Sequence, residues 1–185
     1  MAKVQRNIII QGLSGTIGDQ LVIKQDRAGR TIVSIKPTFD EDRQFSEAQQ
    51  LQQEAFQEAT AYAKTTKHEA AYVDRAAGTA MSGYNVAVAD WFHPPEIKDV
   101  DLESWGGQVG EAIRIKVTDD VQVTLVSVVI TDEADIVLEQ GLAVQEDDLW
   151  WVYTTTAQAS GNPKVIVTAQ DLPGHIAEVV KNSQA

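Results

Sequence analysis

Apolar and polar positions follow two different periods along the 185-residue chain. Near the start the period is two. Asn7 to Gln11, Gln20 to Gln25 and Thr31 to Lys36 read as strands, and Leu21 and Ile23 against Val22 and Lys24 keep the alternation of a half-buried one. Asp26-Arg27-Ala28-Gly29-Arg30 separates the last two runs, and Gly29 can take the positive φ that a tight hairpin requires. The earlier connection, Gly12 to Gly18, holds three glycines at a spacing of three. Glycines can cradle a phosphate, but no Gly-Lys-Ser/Thr follows and the next segment reads as a strand rather than a helix. They are read as turn positions.

The period then lengthens. After a polar connector, Pro37 to Gln44, Ser46-Glu47-Ala48-Gln49 forms a capping box. Ala48, Leu51, Ala55, Phe56, Ala59, Tyr62 and Ala63 recur at helical spacing behind it, and this stripe reads as core. Thr66-Lys67-His68-Glu69 offers a second capping box before Ala70, Val73, Ala76 and Ala77. A third helix is predicted from Tyr84 to Phe92, ended by Pro94. The alanine-rich faces imply close packing, on the hairpin or on a neighbouring subunit.

Past Pro94-Pro95 the alternation returns. Predicted strands contain Ile97, Val100 and Leu102, then run Ala112 to Val117, Val121 to Thr131, Ile136 to Val144, Leu149 to Thr156, Val165 to Ala169 and Ile176 to Val180. In the third, the phase changes between Leu125 and Val126, which a β-bulge or a doubly covered strand requires. Seven short strands separated by turn signals fit an immunoglobulin-like antiparallel β-sandwich. The fold class expected is α+β in two modules. Residues 1–93 form a hairpin or small sheet with two to three helices, and residues 94–185 form the sandwich.

Charge sharpens that boundary. Residues 1–93 hold 10 basic and 11 acidic side chains, whereas residues 94–185 hold 5 and 16, so nearly all of the net −12 lies after the prolines. An acidic surface argues against nucleic acid, whose backbone needs positive charge. No apolar run approaches the about 20 residues that span a bilayer. Met1 to Arg6 is followed only by Ile8-Ile9-Ile10, too short for a signal-peptide core. The absence of cysteine excludes disulfides, thiol nucleophiles and Cys-ligated zinc.

No catalytic constellation stands out. His68, His93 and His175 lie far apart, with no His-x-x-x-His spacing and no Gly-x-Ser-x-Gly elbow in the chain. Carboxylates are the concentrated resource. Asp119, Asp120, Glu146, Asp147, Asp148 and Asp171 should converge at one end of the sandwich, with Asp132, Glu133 and Asp135 at the other. Calcium takes six to eight oxygens, so the first group is its candidate site. Acidic turn residues also serve solubility and hairpin chemistry, and no D-x-[DN]-x-[DN]-G loop is present. The expectation is no cofactor, with calcium as the alternative. Trp105, Trp150 and Trp151 are candidate ligand or partner contacts. Adjacent residues on a strand face opposite ways, so one of Trp150 and Trp151 fills the core and the other lies outside.

Val165-Ile166-Val167-Thr168-Ala169-Gln170-Asp171-Leu172-Pro173-Gly174 resembles the last hairpin of bacterial immunoglobulin-like repeats, with His175 where asparagine is usual. The resemblance implies a spacer, stalk or adhesion role. The first 95 residues are similar to a group of uncharacterised bacterial and phage-encoded proteins through Gly12 to Gly18, Gln49 to Phe56, Gly83-Tyr84-Asn85 and Pro94-Pro95. That similarity implies only a particle or appendage component.

A ribbon with open edges invites further strands. The resulting expectation is a non-enzymatic structural subunit that self-assembles, as a homo-oligomer or filament, in an extracellular appendage or phage-like particle. Its assembly surface would comprise Ile8, Ile10, Leu21, Ile23, Ile32, Ile35, Phe56 and Tyr62. The alternative is a surface binding module whose sandwich holds a glycan or protein ligand.

Overall fold

The computed structural model describes residues 2–4, 12–38 and 44–183. Among the described residues the fold is mixed, with three helices and three antiparallel four-stranded sheets. The first sheet has the order β1-β4-β3-β2, from β1 (Ala2–Val4), β2 (Gly15–Ile17), β3 (Leu21–Gln25) and β4 (Thr31–Ile35). The expected strand Asn7 to Gln11, with Ile8 and Ile10, lies outside the described residues. Within the glycine connection the structure places β2, which the turn reading did not anticipate. Gly15 at φ 129° opens it and Gly18 at φ 56° follows it, so the glycines serve to start and stop a short strand.

Helix α1 (Glu47–Thr66) starts with the expected capping box. Ser46 Oγ accepts from the Gln49 N–H at 3.4 Å and Gln49 Oε1 accepts from the Ser46 N–H at 3.1 Å. The second box does not form. Thr66 still belongs to α1 and its hydroxyl donates to the Tyr62 carbonyl at 3.0 Å, so α2 (Ala70–Ala76) begins at Glu69 with no side-chain cap. Ser82 Oγ instead caps α3 (Gly83–Trp91) through the Asn85 N–H. The helices bury Ala63, Tyr72, Val86 and Ala87 together, with Val121 and Leu172 from the connections beside β7 and β11 packed against them.

The remaining sheets have the orders β5-β6-β10-β9 and β12-β11-β7-β8. Their strands are β5 (Glu96–Asp101), β6 (Ala112–Thr118), β7 (Val123–Thr131), β8 (Val137–Leu142), β9 (Val144–Gln145), β10 (Trp150–Thr154), β11 (Lys164–Asp171) and β12 (Ile176–Asn182). Strict alternation turns Ile113, Ile115 and Val117 of β6 inward, and likewise Val126, Val128 and Ile130 of β7. These join Val165, Val167 and Ala169 of β11 in one core with Trp151 and Tyr153. The two sheets therefore face each other across a shared apolar layer.

The change of phase in β7 arises at a bulge. Gln170 pairs with Leu125 but Asp171 with Val123, which leaves Thr124 unpaired. Its hydroxyl donates instead to the Gln170 and Asp171 carbonyls, at 3.0 and 2.9 Å. The single strand expected from Ile136 to Val144 is two. β8 pairs with β7 and β9 with β10, so the chain passes from one sheet to the other at buried Ala143.

Candidate functional site

Two regions stand out among the described residues. The first is the N-terminal sheet. Its register sets Ile17 opposite Leu21 and Leu21 opposite Ile35, so the three form a row across β2, β3 and β4. All three are exposed, at 52%, 39% and 79%. Ile23 and Val33 occupy the adjacent row on the same face, where Ile23 is buried and Val33 half-buried. Ile32 pairs with Lys24 and belongs to the opposite face. Of the expected assembly surface, Leu21, Ile23 and Ile35 thus share a face and Ile32 does not.

On α1 the apolar stripe separates along its length. Ala59 and Ala63 are buried, whereas Leu51 and Phe56 are exposed. The reading of the whole stripe as core is corrected. Only its C-terminal half meets α3, and the first turns extend past the helical core. Tyr62 is half-buried and is part of a hydrogen-bonded chain.

That chain is the second region, where the helices sit on the ends of the sheets. Tyr62 and Tyr72 join their hydroxyls at 2.7 Å, and the Tyr72 O–H donates to Asp90 Oδ2 at 2.7 Å. Asp90 is fully buried and its Oδ1 has no hydrogen-bond partner. Burial pushes its carboxyl up to about 6, reinforced by the charges of Asp119, Asp171 and Asp120 against the opposing Tyr72 hydrogen bond. Burial likewise raises Tyr72 and Tyr62 above the ordinary phenol range. Next to Asp90, the Trp91 ring lies 5.2 Å from Tyr62 and 5.0 Å from His175. Asp171 holds that histidine: its Oδ1 accepts from the Gly174 and His175 N–H groups at 2.8 and 2.6 Å, and its Oδ2 lies 3.1 Å from His175 Nδ1. His93 Nδ1 pairs with Asp120 at 2.7 Å.

This polar joint was not foreseen. A single carboxylate among the apolar residues Val86, Ala87, Val88, Ala89 and Trp91 was the available signal.

Of the acidic residues proposed for calcium, Asp119, Asp147 and Asp171 accept from turn amides, and Glu146 and Asp120 form ion pairs. Asp119 Oδ2 accepts from the Val121 and Gln122 N–H groups, and Asp147 Oδ1 from those of Leu149 and Trp150. These amides hold the Asp147 carboxyl below its usual range. Glu146 pairs with Arg114 at 2.7 Å. Asp148, Asp119 and Asp120 do line one open cleft, together with Arg75. Among the described residues, no three His, Cys, Asp or Glu side chains gather into a group that could hold a metal ion. At the opposite end, Glu133 Oε1 accepts from Asn162 and Asp135 pairs with Lys164.

The tryptophans divide as the alternation requires. Trp151 lies in the core and Trp150 on the outer face, with the Arg114 guanidinium 4.8 Å from its ring centre. Trp105 is also a core side chain. Burial withdraws Trp105 and Trp151 from any surface contact, which leaves Trp150 as the accessible one.

No protein-family model matches the chain, and no curated protein matches it. Three solved structures share part of its shape. CopC from Methylosinus trichosporium OB3b is 16% identical at a TM-score of 0.37, over 48% of this chain and 89% of that one. An engineered protein is 16% identical at 0.37, over 54% of this chain and 26% of the other. A conjugative transposon lipoprotein from Bacteroides eggerthii DSM 20697 is 17% identical at 0.28, over 49% and 95%. Similarity at this level transfers no property to the present chain.

Proposed function

We propose that the protein is a non-enzymatic structural subunit that self-assembles through its N-terminal sheet and helices and displays an immunoglobulin-like domain. In this reading residues 1–93 are the assembly module and residues 94–185 the acidic sandwich, presented on an extracellular filament or a phage-like particle. The orders β5-β6-β10-β9 and β12-β11-β7-β8, with β8 and β9 exchanging sheets at Ala143, support the immunoglobulin-like topology.

One observation carries the assembly reading. Ile17, Leu21 and Ile35 form an exposed apolar row on a sheet that, among the described residues, contributes none to either apolar cluster. A sheet normally turns such a face toward a core, and exposed rows of this kind mark contact surfaces. Leu51 and Phe56 add a second exposed apolar strip on α1. The side chains with the most altered titration, Asp90 and Tyr72, are enclosed rather than open to a substrate, which favours a structural role.

The test is light scattering and negative-stain microscopy of the full chain at several concentrations, beside the double variant Leu21→Lys/Ile35→Lys. Regular filaments, rings or other particles are expected from the unaltered protein, and dispersed subunits from the variant. Dispersed small particles from both, or assemblies of unchanged size from the variant, would refute the proposal.

A further inference from the structure

The sheet β12-β11-β7-β8 has an outer face that the inner core does not explain. Ile166 on β11 and Val129 on β7 alternate with buried neighbours and point outward, and Val180 on β12 is exposed. Strand pairing aligns Val180, Ile166 and Val129 in one row across three strands. A solvated antiparallel face is ordinarily polar. The other sheet meets that expectation, since Arg114 and Lys116 stand around Trp150 on its outer side. The charge on the β12-β11-β7-β8 face consists of one Lys and one Glu, in a chain of net −12.

We infer that this face pairs with the same face of a second copy, across a two-fold axis lying along the Val180–Ile166–Val129 row. The inference rests on the self-association reading above but uses a different surface. Such an axis superimposes the central apolar row on its own counterpart. It also exchanges the row above with the row below. Lys164 pairs with Asn182 in the upper row, and Glu178 pairs with Thr168 in the lower row. After the rotation Lys164 of one copy lies over Thr168 of the other, one strand spacing from Glu178, and the reverse contact follows by symmetry. At the far edge, exposed Val137 of the upper row meets exposed Leu142 of the lower row. The face is therefore complementary to itself in charge and in apolar character. Lys164 also reaches Asp135 at 2.6 Å, an exposed pair that a nearby Glu178 can share.

The size of the face sets the strength of the contact. Four strands about 4.8 Å apart and seven residues at about 3.3 Å each give roughly 440 Å². That is about half of the ~800 Å² per partner typical of a stable complex. The pairing is consequently weak between free chains and takes hold where a first contact raises the local concentration.

The chain has no cysteine, so a single introduced thiol reports the geometry directly. Full-length Val180→Cys is treated with a short-spacer bismaleimide at high protein concentration. Val144→Cys, at an exposed site on β9 of the other sheet, is the comparison. A covalent dimer from Val180→Cys and little from Val144→Cys is expected. Adding Leu142→Lys to Val180→Cys should reduce the yield several-fold. No dimer from Val180→Cys, or equal yields at both positions, would overturn the pairing. Repeating the reaction with Leu21→Lys/Ile35→Lys separates the surfaces. Cross-linking that is reduced but not abolished while particles vanish supports both contacts. Cross-linking by a protein that forms no particles at any concentration supports this one and removes the N-terminal one.

Discussion

Asp90 has no exposed surface, and its two oxygens are treated unequally: Tyr72 donates to Oδ2 while Oδ1 is unpartnered. A buried carboxylate is tolerated when neutral and costly when charged, the more so with Asp119, Asp120 and Asp171 close by. His175 and His93 engage two of these neighbours, and Tyr62 lies behind Tyr72. Because the folded pKa is raised from 3.8 to about 6, the stabilisation is fully present below about 3.8 and lost as the pH climbs through 6. Asp90→Asn mimics the neutral form. It should match the unaltered protein in stability near pH 4 and exceed it above pH 6. At 1.36 kcal/mol per pKa unit the full gap is about 3 kcal/mol. Urea unfolding across pH 4 to 8 measures it, and a constant difference between the two proteins would remove Asp90 as its source.

Among the elements, α1 and α3 approach closely where one ends and the other begins. Gly83 opens α3 where a Cβ would run into the Lys67 carbonyl oxygen at the end of α1. That oxygen belongs to backbone, which cannot swing aside as a side chain can. Gly83→Ala gains helix propensity of about 1 kcal/mol, yet forcing atoms into a packed site costs about 1–3 kcal/mol. A net loss of stability in thermal unfolding is expected, and a gain would mean that the helices can separate freely. The neighbouring joint has less freedom to adjust, because Asp171 fixes the β11–β12 turn and the turn carries the His175 ring against Trp91. The Trp91–His175 contact and the Asp171 carboxylate thereby join helix and sheet, beside the packing of Val121 and Leu172 and the His93–Asp120 pair.

For the molecule as a whole, net charge is unevenly distributed along the chain. Residues 94–185 carry 16 acidic and 5 basic side chains, while the exposed row Ile17, Leu21 and Ile35 lies in the nearly neutral first half. Copies that associate through apolar faces must bring these negative charges closer together. Screening shortens from about 10 Å at 0.1 M to about 3 Å at 1 M salt, so added salt weakens the repulsion but leaves apolar contact intact. The concentration needed for assembly should fall several-fold between about 20 mM and about 0.5 M sodium chloride, measured by light scattering. A rise instead would identify ion pairs, rather than apolar faces, as the link between copies.

Periodicity by itself determined the kinds of element and most of their limits. The three helices and the strands from β5 onward, with β8 and β9 as a single run, follow from spacing, because burial of one face imposes a period of 3.6 or 2 wherever it occurs. The opposite orientations of Trp150 and Trp151 follow from adjacency on a strand, and the bulge near Leu125 from a change of phase. Local pattern has no access to partners distant in the chain. Only the tertiary structure decided that the strand through Ala143 serves two sheets, that Thr66 closes α1 rather than capping α2, and that Phe56 remains outside the core. It alone brought Tyr62, Tyr72 and Asp90 into one hydrogen-bonded chain and set Trp91 against His175. It also set Asp119, Asp147 and Asp171 against the amides of their own turns, since an amide two or three residues away is nearer than a carboxylate on another loop.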